Sequence, residues 1–250
     1  MKRILSFLLP LAMVSCSFGT ELSGIVDTRV VDVPESFTEI VIKGGLNVTM
    51  DPAATTISLT GDSVLIGATD VTVKDGTLTI NASRKVLKKK GIKKLVKVNE
   101  VVATQSESID VVIPVTATLT EITLAGAVNF TAAEPIKADK LEISTAGANS
   151  LIMTCDVKEL EINTAGADNY WLGGSAVEMS LDMAGACNFC NKENYLTVNK
   201  AKVDMAGACS ATLCCVGTVK GDLAGACSLA LTGAGDSKVK SRGASSVIRF

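Results

Sequence analysis

Histidine is absent from this chain of 250 residues, which removes the side chain most often used as a general base or metal ligand near neutral pH. Aromatic residues make up only 4% of the sequence against 47% hydrophobic, so a core has to be filled with aliphatic and small side chains. No excess of one charge exists either. The 24 Lys and Arg against 26 Asp and Glu leave a formal net charge of −2, which gives no general attraction to nucleic acid. No apolar run reaches the roughly 20 residues that span a bilayer as a helix. Helix-forming patterns are scarce, whereas Thr, Val, Ile, Ser and Gly recur in short alternating runs that favour strands.

The first residues carry an address. Lys2 and Arg3 precede an apolar stretch from Ile4 to Val14, and small Ser15 stands before Cys16. Charged flank, short apolar run and small-residue site together read as an export signal. Met13-Val14-Ser15-Cys16 looks like a lipobox with Met13 in place of the usual Leu. The expectation is a lipoprotein-type signal peptide over residues 1–15, with Cys16 as the lipidated first mature residue. Residues 16–36 then form a linker or first strand. The alternative is ordinary signal cleavage near Ser17-Phe18-Gly19. The expected location is the cell envelope, as an outer-membrane lipoprotein that meets the membrane only through its anchor.

What the sequence has in abundance is a repeat. Ala-Gly-Ala recurs with its glycine at Gly126, Gly147, Gly166, Gly185, Gly207 and Gly225, and Arg242-Gly243-Ala244 closes the series. Differences between successive glycine numbers are 21, 19, 19, 22, 18 and 18. An upstream copy, Ile40 to Val48 around Gly44, aligns without gaps on Ile122 to Phe130. With the copies stacked on their glycine, apolar residues fill the columns four before (Ile122, Ile143, Ile162, Leu181, Val203) and four after (Phe130, Leu151, Tyr170, Phe189, Leu229). This alternation is the signature of strands with one buried face. Units this short cannot bury that face alone and must stack. The sequence therefore predicts an all-β, right-handed parallel β-helix, with coils of about 18–22 residues bent at glycine corners.

Residues 57–113 fit the ladder less well. Val71 to Ile80 reads as a hairpin turning at Asp75-Gly76. A basic run follows: Arg84, Lys85, Lys88, Lys89, Lys90, Lys93, Lys94 and Lys97. It is expected to be a solvated loop, over about 84–100, protruding between coils.

The segment Phe37 to Val48, with Gly45-Leu46-Asn47 at its centre, resembles the opening of the head GIN domain, a family of auto-transporter adhesins. Thr60-Gly61-Asp62 and Asp75-Gly76-Thr77-Leu78-Thr79-Ile80 are also typical of it. The resemblance covers residues 37–250. It implies an exported or lipid-anchored envelope protein with a β-helix fold, and no catalytic residues. The Ala-Gly-Ala-Cys corners at 184–187, 206–209 and 224–227 depart from it, since polar residues are commoner there.

Several constellations invite a chemical reading. Asp182, Asp204 and Asp222 share the column three before the glycine, which suggests a Ca²⁺ site or the carboxylates of a polysaccharide lyase or hydrolase. The column five before runs Glu121, Glu142, Glu161, Ser180, Lys202, Lys220 and Lys238. Acid thus meets neutral residues in the early coils and base meets acid in the late ones, the pattern of a solvated face. An enzyme would also want clustered arginines, and none is expected near these aspartates. Cys187, Cys209 and Cys227 occupy the second position after the glycine, which by alternation points inward, and are expected to pack as small hydrophobes. With no histidine and no second Cys-x-x-Cys beside Cys187 and Cys190, no metal site is predicted. Asn47, Asn129, Asn169 and Asn188 with Ser150, Ser210, Ser228 and Ser246 form a column expected to hydrogen-bond from rung to rung.

The reading is a non-enzymatic envelope protein presenting a rigid surface for adhesion, binding or scaffolding, without cofactor or metal. The alternatives are a carbohydrate-active enzyme and an envelope assembly or stress factor. Candidate partners are envelope or host glycans and other envelope proteins, contacted through the basic run and outward-facing Trp171. Changing Cys16→Ala should move the protein out of the membrane fraction and abolish metabolic fatty-acid labelling. A soluble wild type beginning at Thr20 would rule lipidation out.

Overall fold

The computed structural model describes residues 23–33, 36–82, 108–116, 118–190, 196–233 and 235–250. The segments read above as signal peptide, lipid-bearing Cys16 and basic run (Arg84 through Lys97) lie outside them. The described chain passes through β1 (Val26–Val31), β2 (Glu39–Asp51), β3 (Ile57–Asp62), the short helix α1 (Ser63–Gly67), β4 (Asp70–Lys74), β5 (Thr77–Asn81) and β6 (Ile109–Pro114). It continues through β7 (Glu121–Ala132), β8 (Ile136–Gly147), β9 (Ser150–Gly166), β10 (Asn169–Gly185) and β11 (Asn188–Cys190). Last come β12 (Leu196–Gly207), β13 (Ser210–Gly225), β14 (Ser228–Thr232), β15 (Asp236–Gly243) and β16 (Ser246–Arg249).

From β7 onward each strand pairs in parallel with the strand one coil away, which makes a β-solenoid. Its register follows the glycines: Gly44, Gly126, Gly147, Gly166, Gly185, Gly207, Gly225 and Gly243 are successive partners. The interior is the stack of inward columns. Phe130, Leu151, Tyr170, Phe189, Ala211 and Leu229 follow one another at 1% exposure or less. Tyr170 and Phe189 stack with ring centroids 6.2 Å apart. Each fully buried aliphatic or aromatic side chain stabilises by about 1.5–3 kcal/mol relative to exposure.

The glycine corner is set by sterics. At Gly147, φ is +123°, and a Cβ there would lie 2.2 Å from the carbonyl oxygen of Gly126. The same oxygen accepts a hydrogen bond from the Ala148 N–H at 2.7 Å, and the contact recurs from Ala167 to Gly147 and from Ala186 to Gly166. Corner backbone groups are thus satisfied by backbone. The expected Asn and Ser ladder bonds by side chain where Asn129 donates to Asn47 and Asn47 to Asp110.

A second bend carries no glycine motif. Alternation breaks at Lys158-Glu159, Val177-Glu178 and Asn199-Lys200, where two consecutive residues face out. The sequence shows these only as polar or mixed pairs.

The inward column after the glycine is largely polar. It runs Val128, Asn149, Asp168, Cys187, Cys209, Cys227 and Ser245. Each residue's N–H sits where the corner interrupts the ladder, and the side chain one coil on can accept from it. Val128 N–H donates to Asn149 Oδ1, Asn149 N–H to Asp168 Oδ1 and Cys227 N–H to Ser245 Oγ. The three cysteines are buried as expected, yet they are not merely hydrophobes. Their thiols point at carbonyls, Cys209 at Gly185 and Ala206 and Cys227 at Gly207 and Ala224.

The ends differ from the middle. β5 pairs with the first half of β2 and β6 with its second half, forming one further coil that is interrupted where the others have their corner. The hairpin β4–β5 turns through Asp75 (φ 52°) and Gly76 (φ 78°), both left-handed as its two-residue turn requires. β3 lies antiparallel to β6 and β1 antiparallel to β3, covering that end, while α1 buries Leu65 and Ile66. At the other end the inward columns turn polar with Ser241, Ser245 and Arg249. Arg249 donates to the Gly235 carbonyl.

Gly147→Ala should lower Tm by about 5–10 °C, because strain of about 1–3 kcal/mol adds to a backbone clash. Gly45→Ala, with nothing within 4 Å of its added Cβ, should leave Tm within a degree or two. Thermal melts followed by circular dichroism check both.

Candidate functional site

Outward side chains stack in columns as regular as the inward ones. The column just before the corner glycine is alanine throughout: Ala125, Ala146, Ala165, Ala184, Ala206 and Ala224. These residues rise no higher than a methyl group. Beside them stand Thr123, Ser144, Asn163, Asp182, Asp204 and Asp222, and the two columns line a trough of about 760 Å³. It crosses six coils, five rung steps of roughly 4.8 Å, or about 24 Å. A second cavity of about 650 Å³ opens beside its far end, shares Asp204 and Asp222, and is rimmed by Lys200, Lys202, Lys220, Lys238 and Lys240.

The charges around these grooves are ordered. In the early coils Lys140 lies between Glu159 at 3.4 Å and Glu161 at 3.1 Å, and Lys158 holds Asp139 at 2.7 Å. The Glu161 hydrogen bond raises the Lys140 pKa, and Lys140 in turn lowers that of Glu161. In the late coils Lys200 meets Glu178 at 2.8 Å and Lys202 meets Asp204 at 2.6 Å. Partial burial works against the ionised Asp204, but bonds from Lys202 and the Asp222 N–H outweigh it and hold its pKa below the ordinary value. Exposed pairs of this kind contribute about 0–1 kcal/mol each.

The structure brings Asp182, Asp204 and Asp222 into one column, as expected from their spacing. One expectation is corrected. An arginine does reach this row, since Arg242 from the last coil lies 3.8 Å from Asp222. It escaped notice because it is 20 residues away in sequence and adjacent only through the β13–β15 pairing. It engages one carboxylate rather than forming a cluster. Asp204 is occupied by a lysine and a backbone amide. Trp171 stands elsewhere, 38% exposed beside exposed Ile152 and outside both grooves.

A different polar cluster lies inside. The Asp168 carboxylate, 1% exposed, accepts from the Asn149 N–H at 2.7 Å, Asn149 Nδ2 at 2.8 Å, Thr164 Oγ1 at 2.5 Å and Thr145 Oγ1 at 3.1 Å. Thr145 also bonds the Tyr170 hydroxyl, whose pKa burial pushes well up. Thr145 and Thr164 also lie along the trough, but the Asp168 carboxylate that they bond is buried beneath it, and every partner in the cluster belongs to the fold.

Sequence reasoning missed the trough. In the sequence Ala-Gly-Ala reads as a corner alone, although an alanine column beside a polar one across six coils is the signal of a groove.

A family model described as "Putative auto-transporter adhesin, head GIN domain" matches residues 36–235. A crystal structure of a "putative adhesin" from Bacteroides fragilis superposes with a TM-score of 0.71 at 18% identity, over 92% of this chain and 99% of that one. A "putative lipid binding protein" from Parabacteroides distasonis gives 0.65 at 17% identity, over 92% and 98%. A "putative adhesin" from Parabacteroides merdae gives 0.64 at 17%, over 92% and 98%. At such identities the likeness is one of fold. No curated protein matches the sequence.

Burial, with Asp156 adding to it, pushes the Cys155 thiol up to about 12, and burial also raises Cys209 and Cys215. A raised thiol pKa leaves little thiolate at pH 8, so native protein treated with iodoacetamide should lose Cys214, half-buried, before Cys155, Cys209 or Cys215. Peptide mass mapping reads the order, and denaturation should make all four react alike.

Proposed function

The chain belongs to the head GIN domain family, and on that footing we propose that it is an exported, non-catalytic envelope protein whose trough receives an extended partner in adhesion. The observation that carries this reading is the trough itself. It is a straight, shallow and open groove with a small-residue floor and one polar side chain per rung, held on rigid paired strands. Such a surface suits an extended chain whose repeat falls in step with the coils, because each rung offers the same contact again. The engaged state of Asp204 argues in the same direction, since a carboxylate already held by Lys202 and a backbone amide is a poor general acid or base. Export rests on the N-terminal signal pattern.

Filling the trough tests the reading. Mature protein is probed against arrays of envelope and host glycans and against immobilised envelope proteins. Ala184→Trp and Ala206→Trp, both at exposed positions, should cut retention at least tenfold while Tm stays within a few degrees. Retention unchanged in both variants would overturn the trough as the contact surface. Chain cleavage by the wild type that disappears in Asp204→Asn would replace the reading with an enzymatic one.

A further inference from the structure

Resting on that reading, we propose that the cavity beside the far end of the trough is a subsite for a linear anionic glycan, with Lys220, Lys238 and Lys240 taking its carboxylate or sulfate groups.

Charge on this side of the solenoid is otherwise balanced within the fold. Lys140, Lys158, Lys200 and Lys202 each have a carboxylate within 3.1 Å. Lys220, Lys238 and Lys240 have no such partner among the described residues. Lys202, Lys220 and Lys238 are direct rung-to-rung neighbours, and Lys240 is the neighbour of Asp222. Like charges set directly opposite across a ladder destabilise the sheet. A row of cations with no carboxylate in ion-pair range among the described residues therefore offers what the fold leaves unsatisfied, and an anionic ligand supplies it. The cavity they rim, about 650 Å³, is of the size that ligand pockets commonly have.

The pattern of acids decides between polyanions. Glu178, Asp204 and Asp222 line the same cavity, so negative charge alternates with positive. A densely charged polymer such as a nucleic acid would meet those carboxylates as well as the lysines. A glycan carrying one acidic group per residue sets its charge on an ammonium and its hydroxyls, as donors, on the carboxylates. The cations rim a groove, a shape that suits a chain laid along it. The rungs recur at about 4.8 Å, close to the length of one sugar in an extended chain.

Isothermal titration of the mature protein with oligogalacturonate and with heparin oligosaccharide, in 50 mM and 300 mM NaCl, tests this. Neutral dextran and phosphatidylglycerol vesicles serve as comparisons. At least one anionic oligosaccharide should bind, more weakly at high salt, while dextran does not. Lys220→Gln/Lys238→Gln/Lys240→Gln should lower the affinity at least tenfold with Tm unchanged or raised, and Lys140→Gln/Lys158→Gln should leave it within twofold. Binding of neither oligosaccharide, or equal loss in both variants, would overturn the subsite. So would vesicle binding that the triple variant abolishes while oligosaccharide binding persists. The trough reading fails separately, if Ala184→Trp and Ala206→Trp leave retention of an array partner intact.

Discussion

Every column in this molecule is held in register by one close approach, the contact between successive corner backbones. At Gly147 the next coil's amide reaches the carbonyl of Gly126, and no space remains for even a methyl group. A one-residue slip would put a Cβ into that gap and turn each inward column outward. Apolar burial supplies most of the favourable free energy, but it would tolerate several alignments of short, similar strands. The glycine contact tolerates one. The Phe130-to-Leu229 stack, the alanine floor of the trough and the polar row beside it all inherit their straightness from it.

The coils were legible in the sequence because one dimension of the fold is written as repetition. Stacking the chain on its glycines recovers the neighbours across rungs, including Asp182, Asp204 and Asp222. What was not legible lies where repetition stops. β1, β3 and β6 close the N-terminal end by antiparallel pairings whose partners share no motif, and β5 and β6 make one coil from segments separated by the basic insertion. The second bend hides because two exposed residues in a row can be any polar pair. The cysteine column was legible as inward, but its chemistry was not. A thiol aimed at a carbonyl and a thiol packed among methyl groups look the same in a pattern of burial.

The trough was half visible. Its polar wall was read as a solvated face, which describes the early coils, where lysine and glutamate neutralise one another. In the late coils the same columns carry lysines that outnumber their partners, and Arg242 enters from a coil 20 residues on. Linear distance conceals such neighbours in a solenoid, since adjacency there is counted in coils.

The buried Asp168 cluster has a consequence for assembly of the chain. Three late corners are nearly the same sequence: Asp182 to Cys187, Asp204 to Cys209 and, with Leu223 for Met, Asp222 to Cys227. Strands so alike could be threaded in the wrong order with little loss of apolar contact. Asp168 cannot be misplaced so cheaply. Its four donors come from Asn149, Thr145 and Thr164, and the equivalent positions around the later corners hold cysteine, methionine or leucine. A coil skipped on that side would strand a carboxyl group without its donors among thiols and thioethers, at a cost of several kcal/mol. The cluster therefore acts as an address within a run of near-identical units, fixing which coil comes after which.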